Sequence, residues 1–182
     1  MKKILIFLLK TFVCIFYDKK YIQGRYFDNA FQGYKIALRS IWSKNILRLG
    51  VPHRFPTSLN CHISNSDNII FHPDDINNFQ SPGAYYQNFK AKIYIGKGSY
   101  IGPNVGIITA NHIIGDLDNH EDGKDVIIGE KCWLGMNCVI LPGVELGDNT
   151  IVAAGAVVNK SFKEGNLILG GTPARILKRF EL

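Results

Sequence analysis

Branched aliphatic residues recur at every sixth position in the C-terminal half of this chain of 182 residues. Five consecutive units, which start between Ile128 and Val152, begin with Ile, Leu or Val, and their second residue is Gly or Ala except at Leu141. The same spacing occurs upstream, at Ile95, Ile101 and Ile107. A period of six matches neither an amphipathic helix nor an alternating strand. It predicts a parallel β-helix, in which each unit forms one short strand and a turn.

Three units make one coil of about eighteen residues in such a fold. We predict coils over residues 93–110, 128–145 and 146–160, with the branched residues inside and the small residues at the corners. Cys132 and Cys138 are six residues apart because the repeat is six. We therefore expect them to face the core and not to form a disulfide or a metal site. This use of cysteine suggests a reducing compartment.

The repeat stops between Ile107 and Ile128 and then resumes in phase. The intervening segment, residues 111–125, is polar and acidic, so we predict that it loops out of the solenoid, where functional residues are commonly found. Residues 51–92 are irregular in pattern. Ile63 and the run 69–71 are expected to supply early, imperfect sides of the β-helix.

The N-terminal part of the chain follows a helical pattern instead. We expect a helical segment over residues 1–56 and a β-helical domain over residues 57–182. Lys3 and Lys10 are seven apart and would share one face of a first amphipathic helix, whose apolar run is too short to span a bilayer. A second helix is predicted from about Asn29 to Leu49, with Asp28 as its N-cap.

Charge is distributed unevenly along the chain. Residues 1–56 carry eleven Lys or Arg against two acidic residues, a net +9, whereas the remainder carries ten against thirteen, a net −3. A basic amphipathic helix is typical of contact with an anionic membrane surface. Packing on the domain or on a neighbouring subunit explains the same pattern and stays open. Nucleic-acid binding is disfavoured because the aromatic residues recur at helical spacing.

Several motifs carry a more specific resemblance. They are Ile101-Gly-Pro-Asn-Val, Thr109-Ala-Asn-His112, Ile128-Gly-Glu-Lys-Cys-Trp-Leu-Gly135, Leu141-Pro-Gly-Val and Gly170-Gly-Thr-Pro-Ala-Arg175. Together they resemble the hexapeptide-repeat acyltransferases, in the branch of the galactoside and maltose acetyltransferases and the polysaccharide O-acetyltransferases. The resemblance covers about residues 93–180. It implies a mainly β fold, a left-handed parallel β-helix with an N-terminal helical appendage and a looped-out active-site segment.

The resemblance also implies a site. His112 matches the residue that acts as general base, which suits an imidazole that titrates near neutral pH. His120, Asn88 and Tyr85 are candidates for binding the acceptor, and an acidic residue of the loop (Asp116, Asp118, Glu121 or Asp122) could orient His112. No metal is expected. The positions expected to bind coenzyme A are Gly102, Gly135, Met136, Ala154, Asn159, Lys160, Arg175 and Lys178.

We therefore expect an acetyl-CoA-dependent O-acetyltransferase that acts on a sugar hydroxyl of a surface polysaccharide or its precursor. It is expected to work as a homotrimer in the cytoplasm, with possible peripheral contact at the inner face of the membrane through residues 1–56. Two alternatives stay open at this point. One is N-acetylation of an amino sugar or another small acceptor, as in serine or antibiotic acetyltransferases. The other is a non-catalytic β-helical scaffold.

Overall fold

The computed structural model of the chain describes residues 2–181. Short strands dominate it and follow one another along the chain as β1 His62–Ile63, β2 Ile69–Phe71, β3 Tyr85–Gln87, β4 Ile93–Ile95, β5 Tyr100–Ile101, β6 Gly106–Ile108, β7 His112–Ile113, β8 Asp116–His120, β9 Val126–Ile128, β10 Trp133–Leu134, β11 Val139–Ile140, β12 Glu145–Leu146, β13 Ile151–Val152, β14 Val157–Val158, β15 Leu167–Gly170 and β16 Arg175–Arg179.

These strands form the three parallel faces of a solenoid. The first sheet has the order β1-β3-β6-β11-β14, the second runs β5-β10-β13-β15 with β16 added antiparallel at its end, and the third has the order β12-β9-β4-β2. Each sheet pairs residues from successive coils, as between Ile101 and Leu134 or between Ile140 and Val158. The parallel β-helix predicted from the six-residue period is confirmed.

The interior of the solenoid follows the repeat. Its first-position residues are all 4% exposed or less, from Ile95 to Val158. Cys132 and Cys138 face the core as predicted, and burial raises the pKa of their thiols to about 11 and about 12. Asparagines occupy several corner positions in the left-handed region, which short polar side chains tolerate.

The β-helix begins earlier than the regular repeat indicates, since β1 already pairs with β3. Two short 3₁₀ helices, Ser66–Asn68 and Pro73–Gln80, stand between the first strands. The first coil is filled by large aromatic side chains, among them Phe71, Phe79 and Tyr86, together with Ile63, Ile69 and Ile76. The two 3₁₀ helices interrupt the six-residue pattern there.

The N-terminal segment contains helix α1 (Lys2–Val13), a 3₁₀ turn (Lys19–Tyr21), helix α2 (Gln32–Ser40) and a π-helical continuation (Ile41–Ile46). The expected second helix is therefore shorter than predicted at both ends. Asp28 is not its N-cap, a position that Phe31 occupies. The Asp28 carboxylate instead accepts hydrogen bonds from the Gly24 amide and the Lys10 ammonium, at 2.7 and 3.0 Å.

Candidate active site

The looped-out segment forms a β-hairpin that brings two histidines together. Strands β7 and β8 pair antiparallel with His112 opposite His120, and the ring centroids lie 4.0 Å apart at an interplanar angle of 36°. Gly115 makes the turn in the left-handed region, at φ 87°. Most of the hairpin is exposed, so the His112 ring is presented to solvent on a two-stranded support.

His112 is oriented by the backbone of its own hairpin. Its Nδ1 lies 2.7 Å from the carbonyl oxygen of Leu117. A carbonyl can only accept, so Nδ1 carries the proton and the neutral ring keeps a lone pair on Nε2. This is the tautomer that a general base needs. The acidic orienting group considered from the sequence is replaced by this carbonyl, while Asp116 accepts a hydrogen bond from Asn119 instead.

His120 is held between His112 and the coil that precedes the loop. The Phe89 ring packs edge-on against it at 4.9 Å, and Lys90 donates from Nζ to the His120 carbonyl at 2.8 Å. The pKa of His120 is lowered by desolvation first, and then by the neighbouring charges of His112 and Lys90. A neutral His120 ring packs against His112 without repelling its protonated form.

Gln87 holds the start of the looped-out segment in place, although none of the sequence motifs pointed to this residue. Its side-chain oxygen accepts from the amides of Thr109 and Ala110, both at 3.0 Å, and its Nε2 donates to the Ala110 carbonyl at 2.9 Å. The Thr109 hydroxyl donates back to the Gln87 carbonyl at 2.8 Å. The signal that could have found Gln87 is its place one coil before Thr109.

Asn88 is not an acceptor-binding residue. It is fully buried, and its side-chain amide both accepts from the Asn65 amide (3.0 Å) and donates to the Asn65 carbonyl (2.6 Å). Its hydrogen bonds therefore join two coils. Tyr85 is 41% exposed, but its ring stacks on His62 at 5.1 Å, on the outer face of the first sheet.

Four of the expected coenzyme-binding residues stack at one corner of the solenoid. We call this corner the glycine edge; it consists of the turns 102–104, 135–137 and 153–155, between the second and first sheets. Gly102 donates to the Leu134 carbonyl and Gly135 to the Val152 carbonyl, while Gly155 donates to the carbonyl of Met136. Met136 and Ala154 are exposed there. Thus Gly102, Gly135, Met136 and Ala154 are brought together.

Coil stacking by itself requires glycine at two of these positions. A Cβ atom on Gly135 would lie 2.7 Å from both the Ala154 nitrogen and the Val152 oxygen, and one on Gly102 would lie 2.9 Å from the Leu134 oxygen. Arg175 lies opposite Gly170, at the start of β16, and Lys178 lies further along that strand opposite Ile168.

Asn159 and Lys160 lie at a different corner. They follow β14 on the edge between the first and third sheets, from which the hairpin of His112 also leaves. Lys160 contacts the Phe162 ring, with its Nζ 5.4 Å from the centroid. Within one chain, the expected site is therefore divided between two edges, with His112, Asn159 and Lys160 on one and the glycine edge on the other.

A cavity of about 640 Å³ continues the glycine edge at its N-terminal end. Asn104 donates to the Pro82 carbonyl and Gly83 to the Asn60 carbonyl, so Pro82 and Asn60 extend the same column of turns. Both residues line the cavity, which α2 closes from the other side. Hydroxyl and amide side chains are frequent in its wall, together with one arginine and one tyrosine: Tyr26, Gln32, Arg39, Ser40, Ser43, Thr57, Ser58, Asn60, Asn77 and Gln80.

Among residues 2–181, no group of three His, Cys, Asp or Glu side chains is arranged to hold a metal ion.

Comparison with known proteins identifies the repeat. Residues 125–160 match the family model described as bacterial transferase hexapeptide (six repeats). YJL218W of Saccharomyces cerevisiae, provisionally named an acetyltransferase, is 35% identical over 63% of this chain and 64% of its own length. WbbJ of Escherichia coli K12, provisionally named a lipopolysaccharide biosynthesis O-acetyl transferase, is 42% identical over 48% of this chain and 50% of its own.

Among solved structures, the hexapeptide-repeat acetyltransferase VCA0836 of Vibrio cholerae, complexed with acetyl coenzyme A, is similar. It is 35% identical over 50% of this chain and 51% of its own, with a TM-score of 0.46. The chain spans about half to just under two thirds of the length of these relatives. The resemblance to hexapeptide-repeat acetyltransferases is confirmed, and the structure has the parallel β-helix expected from it.

Proposed function

We propose that this chain, which carries the hexapeptide repeat of bacterial transferases, is an acetyl-CoA-dependent O-acetyltransferase that acetylates a sugar hydroxyl of a surface polysaccharide or its precursor. The observation that carries the proposal is the hydrogen bond of His112 Nδ1 to the Leu117 carbonyl, which leaves Nε2 as an exposed base. The names of the relatives, acetyltransferase and lipopolysaccharide biosynthesis O-acetyl transferase, support the reaction and the class of acceptor.

The chemistry needs one proton acceptor at the attacking oxygen. His112 Nε2 takes the hydroxyl proton while the oxygen attacks the thioester carbonyl of acetyl-CoA, because a neutral hydroxyl group is a poor nucleophile. The tetrahedral oxyanion then collapses, the C–S bond breaks, and the imidazolium returns the proton to the leaving sulfur. The products are an acetyl ester and free coenzyme A, and His112 is neutral again. The Leu117 carbonyl stabilises the imidazolium that forms in between.

The glycine edge is the proposed groove for coenzyme A. Gly102 is half-buried and Ala154 is exposed, and neither carries a bulky side chain, so the pantetheine arm can approach the backbone closely there; Gly135 is buried beside the exposed Met136. Arg175 begins its strand opposite Gly170 at the C-terminal end of this edge, where a guanidinium can pair with the phosphates. Lys178, Asn159 and Lys160 complete the proposed binding set.

A homotrimer would reunite the two edges. His112 leaves one edge of the solenoid and the glycine edge is another, so a single cleft forms when the His112 hairpin of one chain meets the glycine edge of its neighbour. Closed cyclic symmetry with three copies then gives three equivalent clefts.

The cavity at the N-terminal end of the glycine edge, whose wall carries hydroxyl and amide groups beside apolar residues such as Ile36 and Leu59, is the proposed acceptor site. With the phosphates at the C-terminal end of the glycine edge, the thioester would lie toward its N-terminal end. The cavity adjoins that end, along the same column of turns. Its volume is in the range of small-molecule sites, and the amides of Asn60, Asn77 and Gln80 suit recognition of hydroxyl groups. Arg39 would favour an acidic sugar.

The direct test is transfer of isotopically labelled acetyl from acetyl-CoA to surface polysaccharide. The acceptor is extracted from cells that lack this gene and is freed of esters by mild base. Mass spectrometry should find base-labile acetyl on the glycan, which identifies an O-linked ester. Base-stable label would indicate an amide and N-acetylation, and hydrolysis of acetyl-CoA without labelled glycan would contradict this acceptor class.

The acceptor site is tested separately by filling the cavity. Asn60→Trp should raise the KM for the polysaccharide at least about tenfold, because a blocked pocket binds the acceptor more weakly in both the ground state and the transition state. The Kd for coenzyme A should stay unchanged. Lys97→Trp is the control, because Lys97 is an exposed turn residue away from the cavity. Equal KM values for the two variants would place the acceptor elsewhere.

A further inference from the structure

Helix α1 has two apolar faces, and within the described part of the chain only one of them is packed against other residues. Ile6, Leu9 and Val13 contact the cluster formed by Tyr34 and Ala37. The opposite face carries six large apolar side chains that are each between 44% and 73% exposed. They are Ile4, Leu5, Phe7, Leu8 and Phe12, with Ile15 in the turn that follows the helix.

These side chains form one continuous surface. At about 100° per residue, the five that lie within the helix and Thr11 cover an arc of about 160° of its surface, and Ile15 continues it in the next turn. Thr11 is the one polar residue in the arc, and its hydroxyl donates to the Phe7 carbonyl at 2.9 Å. We call this surface the outer face of α1. An exposed apolar surface of this extent is typical of an interaction site.

Basic side chains border the outer face. A shallow groove of about 450 Å³ brings Phe7 and Ile15 together with Lys10 and Lys19. Lys10 is paired with Asp28 at 3.0 Å, whereas Lys19 and the adjacent Lys20 are exposed. Lys3, expected to share a face with Lys10, has a side chain outside the described part of the chain. An apolar face with a basic border matches an anionic lipid surface.

The geometry also decides how α1 would meet a membrane. Its twelve residues extend about 18 Å, well short of the roughly 30 Å of a hydrocarbon core. Across residues 2–181, none of the helices is both long and apolar enough to cross a bilayer. A helix of this length would lie in the plane of the headgroups, with its apolar face inserted.

A second copy of the chain is the competing occupant of the outer face. Residues 1–56 carry a net charge of +9, so pairing two such segments through the Lys10 and Lys19 border would place like charges together. An anionic surface instead neutralises them. Charge therefore favours lipid over self-association.

We propose that the outer face of α1 binds the surface of anionic membranes, with Phe7 and Ile15 inserted and Lys19 and Lys20 at the lipid headgroups. The inference is independent of the proposed acetyl transfer. Combined with it, the binding would hold the enzyme where lipid-linked or nascent glycans are located.

Co-sedimentation of the full chain with phosphatidylcholine vesicles, with and without phosphatidylglycerol, tests the proposal. Wild type should bind only the anionic vesicles. Phe7→Ser combined with Ile15→Ser should lower the partition coefficient at least about tenfold, because two exposed apolar side chains are lost. The matched control is Ile70→Ser with Ile127→Ser on the third sheet, which should bind as wild type does.

A charge pair separates electrostatic from apolar binding. Lys19→Glu with Lys20→Glu should also weaken binding at least about tenfold at low salt, and the loss should shrink at high salt. Lys92→Glu with Lys131→Glu changes the net charge equally but lies on the β-helix, and should have little effect.

Three results would overturn the proposal. The first is absence of wild-type binding to anionic vesicles, and the second is equal binding by the Phe7/Ile15 variant. The third is a drop in oligomer mass for that variant with no vesicle binding by wild type, which would assign the outer face to a second copy of the chain.

Discussion

At the scale of single residues, the hairpin assigns different tasks to two adjacent imidazoles. His112 has a backbone carbonyl on Nδ1, which fixes its tautomer, whereas His120 contacts it through ring packing. The first is proposed to move the proton and the second to position the first. A sequence motif can mark the base, but it cannot show that Leu117, five residues later, supplies the orienting oxygen.

His120→Ala should lower kcat by less than His112→Ala does, because it removes a packing partner and not the proton acceptor. We expect a loss of about three- to tenfold, well under the ~10²–10⁴-fold of a general base. His120→Phe keeps an aromatic ring against His112 and should retain more activity than the alanine variant. Steady-state kinetics check this; a loss as large as that of His112→Ala would give His120 a chemical role.

Gln87→Ala should destabilise the chain by about 1–3 kcal/mol and lower acetyl transfer, since the loop root loses its three side-chain hydrogen bonds. Gln23→Ala is the control, because Gln23 is exposed and donates one hydrogen bond, to the Lys20 carbonyl. Urea unfolding and kinetics are measured on both variants. Equal stabilities would remove Gln87 from this role.

At the scale of elements, the six-residue repeat predicted the coils from residue 93 onward because identical small turns force identical side-chain positions. Upstream it indicated only imperfect sides at Ile63 and residues 69–71, which form β1 and β2, because 3₁₀ helices interrupt the repeat in the first coil. The sequence also misassigned the role of Asn88. The resemblance suggested that Asn88 binds the acceptor, but its hydrogen bonds to Asn65 join it to a neighbouring coil, which local sequence does not specify.

Gly135→Ala should destabilise the β-helix by about 1–3 kcal/mol or more, because the new Cβ would meet backbone atoms of the next coil at 2.7 Å. Gly106→Ala is the matched control. Its Cβ would lie 3.7 Å from a methyl group of Val139, an ordinary contact, so its stability should change by less than about 1 kcal/mol. Similar melting temperatures for both variants would contradict the stacking explanation of Gly135.

The segment between α2 and the first coil should show acid sensitivity through His53. Burial, followed by the charges of Lys44 and His62, lowers the pKa of His53 from 6.5 to about 4. The unfolded chain therefore takes up this proton first as pH falls, so stability is lost between about pH 6.5 and 4. His53→Gln should lose less free energy of unfolding than wild type between pH 7.5 and 4.5. A difference between the two proteins that does not change with pH would contradict this.

At the scale of the whole molecule, the proposed homotrimer predicts that each cleft is shared by two chains. His112→Ala and Ala154→Trp should each inactivate the enzyme, one at the base and one at the coenzyme groove. Mixed trimers formed by co-expression should recover roughly a quarter of wild-type activity, because some clefts combine an intact His112 with a neighbour's intact glycine edge. Recovery of no activity would mean that each chain builds its own site.

The central claim is that His112 removes the acceptor proton, and the kinetics of His112→Ala test it most directly. We expect kcat for acetyl transfer to fall by about 10²–10⁴-fold while calorimetry finds the same Kd for coenzyme A as in wild type. Turnover within a few-fold of wild type, with coenzyme A still bound, would contradict the account.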